Sequence, residues 1–295
     1  MKKNSIILCG IVRDAAKGLK KNIPIIDLFL NNFKNYQIII FENDSQDDTK
    51  LILEQWADRI GKDNFHLISE YRGVKKTIPK KNKNKNINPF YSFERINRMV
   101  ELRNQYLDYI QNNNITSEVI MIADLDVAQL NLKGLLSIFN INFEWDAICA
   151  NGVSTSPQLK NRYHDAYALV ELGDDKNPQT EEKIKYISKK FGKIKKNDNP
   201  IQIFSGFGGV SFYKFKHINS LRYQVIKNND PRVEVRCEHF SIYKQMIELG
   251  NDKIFLLPSL ILKYQSITIK LIITSFLRYF RSEERRVGKE CRSRW

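Results

Sequence analysis

Apolar runs of strand length alternate with amphipathic stretches through the first half of the chain, and this alternation limits the fold more than any other feature. The apolar runs have the β-branched content of buried strands, and they cover residues 5–12, 36–41, 65–69 and 118–123. The stretches between them carry apolar residues at helical spacing, and they cover residues 19–33, 47–60 and 92–111. The pattern predicts βαβ units, and therefore an α/β fold with a mostly parallel sheet flanked by helices.

The second half alternates less regularly, but no change of composition marks a linker within it. We predict helices over about 180–190 and 236–250 and a strand over 253–259. Further apolar stretches cover residues 146–152 and 203–215. We therefore predict a single domain over residues 1–264.

Two segments at the C-terminal end are predicted separately. Residues 265–281, QSITIKLIITSFLRYFR, are apolar, with Lys270, Arg278 and Arg281 as their only charges. As a helix this segment could lie on an anionic membrane surface, or it could pack as a terminal helix. Residues 282–295 differ abruptly in composition from the Asn-, Lys- and Ile-rich chain before them. We interpret them as a foreign read-through or a cloning scar and leave them out of the fold prediction.

The chain is strongly basic, with a formal net charge of +15. Such a charge favours anionic partners, whether nucleic acid, anionic lipid or phosphorylated substrates. Part of it lies in residues 73–88, GVKKTIPKKNKNKNIN, which show no hydrophobic period. This segment is either a solvated charge run or a flap over a phosphate-bearing ligand.

We expect a cytoplasmic protein. No window approaches the roughly 18 apolar residues of a transmembrane helix, and Arg13 and Asp14 end the N-terminal apolar run too early for a signal peptide. The four cysteines show neither a CxxC nor a paired spacing, so no disulfide framework is indicated. Peripheral contact with the inner membrane face is expected only through residues 265–281.

Polar residues follow three of the predicted strands. Arg13 and Asp14 follow the first, ENDSQDDT (42–49) ends the second and DLD (124–126) ends the fourth. Because ligands of parallel sheets bind beyond the carboxyl ends of the strands, these three ends should face one crevice. Within 42–49, Ser45 and Asp48 also fit a capping box for the next helix.

Asp124 and Asp126 are the strongest candidate site residues. Residues two apart in an extended strand face the same side, so the two carboxylates should project together while Leu125 turns into the core. Two such carboxylates repel each other unless a cation or hydrogen-bond donors lie between them, and their oxygens suit Mg²⁺ or Mn²⁺ shared with a diphosphate. The spacing alone is also common at strand ends and helix caps, and it leaves a transferase, a phosphatase and a nuclease open.

Several sequence blocks, taken in order, resemble glycosyltransferases of the GT-A type, and more closely the capsule-associated mannosyltransferase-like family with its bacterial and viral relatives. The blocks are VRD, FENDSQDDT, ERINRMVELRN, ADLDV, RYHDAYAL, FSGFGGVSFYK and CEHFSIYKQM, between about residues 5 and 260. The resemblance implies a GT-A, Rossmann-like fold. It also implies transfer of a hexose, such as mannose, from a UDP- or GDP-sugar to a glycan or lipid-linked acceptor in surface polysaccharide synthesis.

The resemblance implies roles for residues at the strand ends and on the helix before the aspartates. Asp126 would bind the metal ion directly, and Asp124 would hold the ribose or a metal-bound water. Arg13, Glu42 and Asn43 would line the nucleotide pocket. Arg98 and Arg103 could neutralise the diphosphate, although exposed helix arginines are more often solvated.

In the second half, Glu238 would be the general base if the enzyme inverts the anomeric configuration, and it would instead position the substrate if the enzyme retains that configuration. The sequence leaves both open, and a helix N-terminal carboxylate is the structural alternative. Asp165 could bind the donor sugar or anchor a turn. His239 is either an additional metal ligand or, as we favour, a core histidine. Gly206, Gly208 and Gly209 permit close approach of the backbone, either to a ligand or for packing.

Two other functions compete with sugar transfer. A nucleic-acid-binding protein would need aromatic residues among its basic ones for base stacking, and residues 73–86 contain none. We therefore expect no nucleic acid partner. A catalytically inactive GT-A scaffold would have lost the aspartates after the fourth strand, and both are present.

Overall fold

The strands and helices predicted for the first half are confirmed in the computed structural model, which describes residues 3–74, 87–156 and 159–265 together with 269, 272 and 273. They are β1 (Lys3–Val12), α1 (Ala16–Leu30), β2 (Phe33–Asn43), α2 (Thr49–Ile60), β3 (Phe65–Glu70), α3 (Phe93–Asn112) and β4 (Val119–Ala123). The basic segment from 75 to 86 and the tail from 282 lie outside the described residues. So does most of the helix predicted over 265–281.

The second half supplies the remaining strands and helices. They are α4 (Leu132–Leu136), β5 (Ala147–Thr155), β6 (Asn161–Tyr163), β7 (Val170–Glu171), α5 (Glu181–Phe191), β8 (Ile201–Ser205), β9 (Val210–Lys214), α6 (Glu238–Glu248) and β10 (Ile254–Lys263). The apolar stretch predicted over 203–215 therefore divides into the end of β8, a glycine-containing turn and β9. Among the described residues, no helix has the length and apolar character needed to cross a bilayer.

The ten strands in the described part of the chain belong to one sheet, in the order β3-β2-β1-β4-β9-β5-β10-β8-β7, with β6 paired to β5. Strands β1 to β4 pair in parallel, and so do β5 and β10. Strand β9 is antiparallel to both of its neighbours, β4 and β5. Strands β6 and β8 also oppose the common direction. The sheet is thus mostly parallel, which confirms the predicted fold class.

The first-half strands are apolar throughout because helices cover both faces of the sheet. In β1, Ile6 and Leu8 pack into a core with residues of α1 and α2. Their neighbours Ile7 and Cys9 pack into a second core with residues of α3 and α6. A strand buried on both faces loses the alternation of polar and apolar residues, so its sequence is a continuous apolar run.

Side chains of the segment 42–49 tie the end of β2 to the start of α1. The Ser45 hydroxyl accepts a hydrogen bond from the Asp14 backbone N–H (3.1 Å), and the Asp47 carboxylate accepts one from the Ala16 N–H (3.1 Å). Helix α2 begins at Thr49, and Asp48 provides no side-chain cap. The predicted capping box is therefore wrong, because Ser45 bonds to the loop after β1 instead of to α2.

Candidate active site

The carboxyl ends of β1, β2 and β4 meet at one cavity of about 680 Å³, as their polar sequences predict. The cavity brings together most of the predicted site residues. They are Arg13, Asn43, Arg98, Arg103, Asp124, Asp126, Asp165, Glu238 and His239. Its volume lies within the range typical of small-molecule sites. The second half of the chain therefore closes the cavity opposite the strand ends.

The structure does not bring Glu42 to this cavity. The residue is buried at the end of β2, where its carboxylate accepts hydrogen bonds from the Ser45 N–H (3.0 Å) and the Ser69 hydroxyl (2.6 Å). Neighbouring strand residues point to opposite faces, so Glu42 and Asn43 cannot both face the same ligand. Glu42 stabilises the turn after β2, and Asn43 reaches the cavity.

Asp44 supports one wall of the cavity through contacts with the loop after β3. Its φ is +52°, and its buried carboxylate accepts hydrogen bonds from the N–H groups of Arg72, Gly73 and Val74. Arg13 donates to the Val74 carbonyl and lies 3.9 Å from the Asp44 carboxylate. Arg13 and Val74 thus form a cavity wall that Asp44 holds in place.

Asp124 and Asp126 both line the cavity, while Leu125 between them is fully buried. The predicted alternation of these three residues is therefore observed. The Asp124 N–H donates to the Gly209 carbonyl (2.8 Å), which extends the pairing of β4 with β9 by one residue. Burial, opposed by Arg103 and reinforced by the charge of Asp126, raises the pKa of Asp124 to about 6.

Arg103 connects two of the cavity carboxylates. Its side chain is only 3% exposed, its Nε donates to Glu238 (3.0 Å) and its Nη2 lies 3.5 Å from Asp124. Its guanidinium also lies over the ring of Phe207, 5.0 Å from the centroid. An arginine held this way positions carboxylates, so partly exposed arginines are better placed than Arg103 to neutralise a diphosphate.

Two such arginines line the cavity from α3. Arg98 is partly exposed and pairs with Glu94 one helical turn away (3.4 Å). Arg95, which our sequence reasoning missed, lies three residues earlier on the same helix and also lines the cavity. Residues three apart share one helix face, so this spacing could have identified Arg95.

Glu238 begins α6 and is buried against Arg103. Burial alone would raise its pKa, but the Arg103 guanidinium, with smaller contributions from His239 and Arg95, lowers the pKa of Glu238 to about 2. A carboxylate with so low a pKa is a weak base. The paired environment of Glu238 therefore suits a positioning role better than the predicted role of general base.

His239 lies in the core beside the cavity. Its ring stacks on Phe207, with 3.9 Å between centroids, and its side chain is 2% exposed. Burial, followed by the charge of Arg103, lowers its pKa well below the ordinary value. Within the described ranges, no three His, Cys, Asp or Glu side chains are grouped to hold a metal ion. These contacts agree with the core alternative that we favour for His239, although both ring nitrogens lack a hydrogen-bond partner among the described residues. The role of His239 as a metal ligand stays a prediction.

The glycine turn between β8 and β9 fixes a third carboxylate. The Gly208 N–H donates to Asp165 (3.2 Å), and burial, with smaller effects of Asp124 and Glu238, raises the pKa of Asp165 to about 7. Gly208 has a φ of +65°, and a Cβ there would lie 2.1 Å from the Ala150 carbonyl oxygen. Close backbone packing therefore explains the glycine at position 208.

Tyr264, directly after β10, closes the cavity behind the aspartates. Its hydroxyl donates to the second Asp124 oxygen (2.7 Å), and its ring stacks on His164 with 3.7 Å between centroids. The Tyr264 N–H bonds to Val153 and its carbonyl accepts from Ala128. Tyr264 is separated from Asp124 by 140 residues, so no local sequence pattern could have paired them.

The residues at the cavity fit a hard divalent ion that keeps some of its water. Asp124 and Asp126 offer only two carboxylates, which is too few for a closed structural site but typical of Mg²⁺ or Mn²⁺ shared with phosphates. The raised pKa of Asp124 reflects in part its repulsion by Asp126. A cation between the two carboxylates would relieve that repulsion.

Several solved structures are similar to this chain at low identity. The mannosyltransferase PcManGT from Pyrobaculum calidifontis, in complex with GDP-Man and Mn²⁺, has a TM-score of 0.46 and 10% identity, covering 94% of this chain and 64% of that chain. S. aureus TarS 1–349 has a TM-score of 0.41 and 12% identity, covering 87% and 58%.

A third similar structure is glucosyl-3-phosphoglycerate synthase from Mycobacterium tuberculosis with Mn²⁺, UDP and phosphoglyceric acid. Its TM-score is 0.44 and its identity 11%, with 93% and 74% of the two chains covered. This chain spans less than two thirds of the length of PcManGT and of TarS 1–349. No curated protein sequence matches it.

A family model gives the assignment that these distant structures do not. The model described as Cryptococcal mannosyltransferase 1 matches residues 21–243, which are 223 of the 295 residues. The matched range contains Arg103, Asp124, Asp126, Asp165 and Glu238, and it agrees with the resemblance noted in the sequence. The chain therefore belongs to the Cryptococcal mannosyltransferase 1 family, a family of glycosyltransferases.

Proposed function

We propose that this protein transfers a hexose, mannose in the first instance, from a nucleoside diphosphate sugar to a hydroxyl of a glycan or lipid-linked acceptor. The family supports the sugar, and surface polysaccharide synthesis is the process that the sequence resemblance favours. Contact with a membrane through residues 265–281 stays a prediction, since most of that segment lies outside the described residues.

One observation carries the proposal. The cavity of about 680 Å³ places Asp124 and Asp126 together with Arg13, Arg95 and Arg98. Carboxylates that bind a cation and arginines that bind phosphate are the two groups that a metal-bound diphosphate needs. A cavity of one charge sign only would not supply both.

Asp126 and Asp124 would hold Mn²⁺ or Mg²⁺. When bound, such an ion stabilises the negative charge that grows on the departing nucleoside diphosphate. Arg95 and Arg98 on α3 add positive charge to the same wall. Their guanidinium groups bind phosphate oxygens in fixed geometry, which orients the leaving group.

The transfer itself exchanges one bond at the sugar. The acceptor oxygen forms a bond to the anomeric carbon, and the bond from that carbon to the phosphate oxygen breaks with its electron pair on the diphosphate. The acceptor proton must pass to a base. Asp165 lines the cavity and has a pKa of about 7, whereas the pKa of Glu238 is about 2. Asp165 is therefore our candidate for the base that accepts the proton of the acceptor hydroxyl. Glu238 positions Arg103.

Nucleotide binding tests the proposal directly. Thermal unfolding of the full chain is measured with UDP, GDP and CMP, each with and without Mn²⁺. We expect one nucleoside diphosphate to raise the melting temperature only when Mn²⁺ is present. Asp126→Ala should abolish that increase, because it removes a carboxylate from the metal site.

The matched control is Asp58→Ala, which removes an exposed carboxylate on α2 and should leave the nucleotide effect unchanged. Asp165→Asn should keep nucleotide binding but lose transfer. If no nucleotide changes the melting temperature under any metal condition, the proposed donor class is wrong.

A further inference from the structure

A second cavity, of about 430 Å³, also takes lining residues from the chain segment 236–240. Arg236 and Phe240 line this cavity, whereas Cys237, Glu238 and His239 line the candidate active site. The two cavities share no lining residue within the described part of the chain. Since adjacent residues are only about 3.8 Å apart, the cavities are close neighbours but separate sites.

Arg236 is the unusual residue of this second cavity. It is 5% exposed, and its Nη2 donates to the backbone carbonyls of Asp175 and Asn177. Its Nη1 has no hydrogen-bond partner among the residues that the structure describes. Asp174 is close enough to support the Arg236 charge, but the Asp174 carboxylate is bonded to Lys183 and Asn177. A buried guanidinium without a paired anion is costly. Arg103, by contrast, has two carboxylates within 3.5 Å.

The surroundings of Arg236 add positive charge and an apolar wall. Lys176, Lys227 and Lys244 line the same cavity, against the two carboxylates of Asp175 and Glu248. The rings of Phe204 and Phe240 stack 5.0 Å apart, and the Arg236 guanidinium lies 4.9 Å from the Phe240 centroid. The cavity therefore combines excess positive charge with a flat apolar surface.

The walls are held by hydrogen bonds that do not involve a ligand. The Asn228 side chain accepts from the Gln179 N–H (2.9 Å) and donates to the carbonyls of Gln179 (2.9 Å) and Val233 (2.7 Å). Asn228 is itself buried at 4% exposure. The cavity is thus built in advance, which limits the ordering that a ligand would have to supply.

We propose that this cavity binds a small organic anion, a monosaccharide-sized molecule that bears one carboxylate or phosphate group. The anionic group pairs with Arg236 and the rim lysines, in the charge-assisted hydrogen bonds that guanidinium groups form best. The ring lies against the apolar wall. Burial, opposed by Asp174, lowers the pKa of Arg236, and a bound anion compensates for the lost hydration. This site does not depend on the proposed sugar transfer.

Isothermal titration of the full chain tests the site, without nucleotide or Mn²⁺. The probes are glucuronate, mannose 6-phosphate, inorganic phosphate and mannose. We expect one of the two anionic sugars to bind at one site per chain and neutral mannose to bind at least about tenfold more weakly. The tighter anionic sugar shows whether the carboxylate or the phosphate is the natural group. If inorganic phosphate bound and neither anionic sugar did, the proposal would be overturned, because the site would then have no room for a sugar ring.

Substitutions locate the binding. The exposed pair Lys176→Gln and Lys227→Gln should weaken the anionic sugar about three- to tenfold, and Arg236→Lys should weaken it further. The matched pair Lys185→Gln and Lys189→Gln, also exposed, should have no effect.

Binding in the active-site cavity would give a different pattern. Arg98→Gln would then weaken the binding of the anion, whereas Lys176→Gln with Lys227→Gln would leave that binding unchanged. That pattern, or the absence of binding by every anion, overturns the proposal. Nucleotide binding with Mn²⁺ is measured separately, so a failure here leaves the proposed function untouched.

Discussion

At the scale of single residues, the site depends on the pairing of Arg103 with Glu238. Arg103 contacts Asp124 as well, so it links Glu238 to a residue of the proposed metal site. Removing one partner of a buried ion pair leaves the other charge uncompensated. Glu238 thus stabilises the cavity through Arg103.

This pairing makes stability depend on pH in one direction. The pKa of Glu238 is about 2 in the folded protein, below its ordinary value of 4.5. The stabilising effect of the Glu238 carboxylate is therefore complete above pH 4.5 and is lost as the pH falls towards 2. We expect Glu238→Gln to lower the free energy of unfolding at pH 7 by about 3 kcal/mol. Urea unfolding of both proteins at several pH values measures the difference.

The difference in the free energy of unfolding between the wild type and Glu238→Gln should shrink steadily below pH 4.5, because the wild-type Glu238 carboxyl becomes protonated. Glu248→Gln, on the exposed end of α6, is the matched control and should change stability little at any pH. A constant difference between wild type and Glu238→Gln from pH 7 to pH 2.5 would contradict the pairing.

The sequence predicted the acidic and basic residues of the site better than their contacts. Asp124 and Asp126 follow a strand, and a strand end fixes which edge of the sheet they reach. The partners of Arg103 and Asp124 come from α6 and from the end of β10, more than 100 residues away along the chain. Such contacts depend on the packing of distant elements, so the contact of Tyr264 with Asp124 was not predictable.

At the scale of secondary-structure elements, the turn between β8 and β9 is restricted both by its hydrogen bonds and by close backbone packing. Gly208 donates to Asp165, and the next carbonyl, that of Gly209, accepts from Asp124. One turn therefore holds two cavity carboxylates in place. The backbone of the turn also packs against β5, because a Cβ atom added at Gly152 would lie 2.2 Å from the Gly208 carbonyl oxygen.

Gly208→Ala should therefore be severely destabilising. The φ of +65° disfavours any side chain, and the added Cβ would also overlap the Ala150 carbonyl at 2.1 Å. Gly250→Ala is a matched control, since its φ is +82° but nothing lies within 4 Å of the added atom. We expect about 1 kcal/mol of destabilisation at Gly250 from backbone strain alone and at least about 3 kcal/mol at Gly208.

Urea unfolding measures both variants. If both substitutions lowered the free energy of unfolding equally, the turn would have moved away from β5 without cost. That result would contradict the close packing described above. A larger loss at Gly208 would assign the difference to contact with β5, because both substitutions place alanine at a positive φ.

The first-half elements were predictable because each signal was local. Strands buried on both faces give continuous apolar runs, and α1 to α3 give helical spacing. The antiparallel placement of β9 between β4 and β5 was not predictable, since it depends on strands that are distant in sequence. The end of β8 and all of β9 lie within the single predicted stretch 203–215, because glycine marks a turn but not which strands it joins.

At the scale of the whole molecule, the net charge of +15 favours the approach of anionic ligands, including the donor proposed above. Charges contribute most when they lie within a Debye length of the site, about 8 Å at physiological ionic strength. The lysine-rich segment begins directly after Val74, which lines the active-site cavity. Its six lysines are Lys75, Lys76, Lys80, Lys81, Lys83 and Lys85.

Replacing these six lysines by glutamine should slow the association of the preferred nucleoside diphosphate with the Mn²⁺-loaded protein by about threefold or more at low salt. The matched control replaces six exposed lysines of the second half, namely Lys185, Lys189, Lys193, Lys195, Lys196 and Lys216. Both variants lose the same net charge. Stopped-flow association at low and high salt compares them with the wild type.

We expect the control to associate nearly as fast as the wild type and all three proteins to converge at high salt, where screening removes the advantage. Equal slowing in the two variants would mean that net charge alone attracts the donor, and the position of the lysines would then be irrelevant. Slowing confined to the first variant instead makes residues 75–85 a local electrostatic extension of the arginine-lined cavity, acting on the rate of donor encounter.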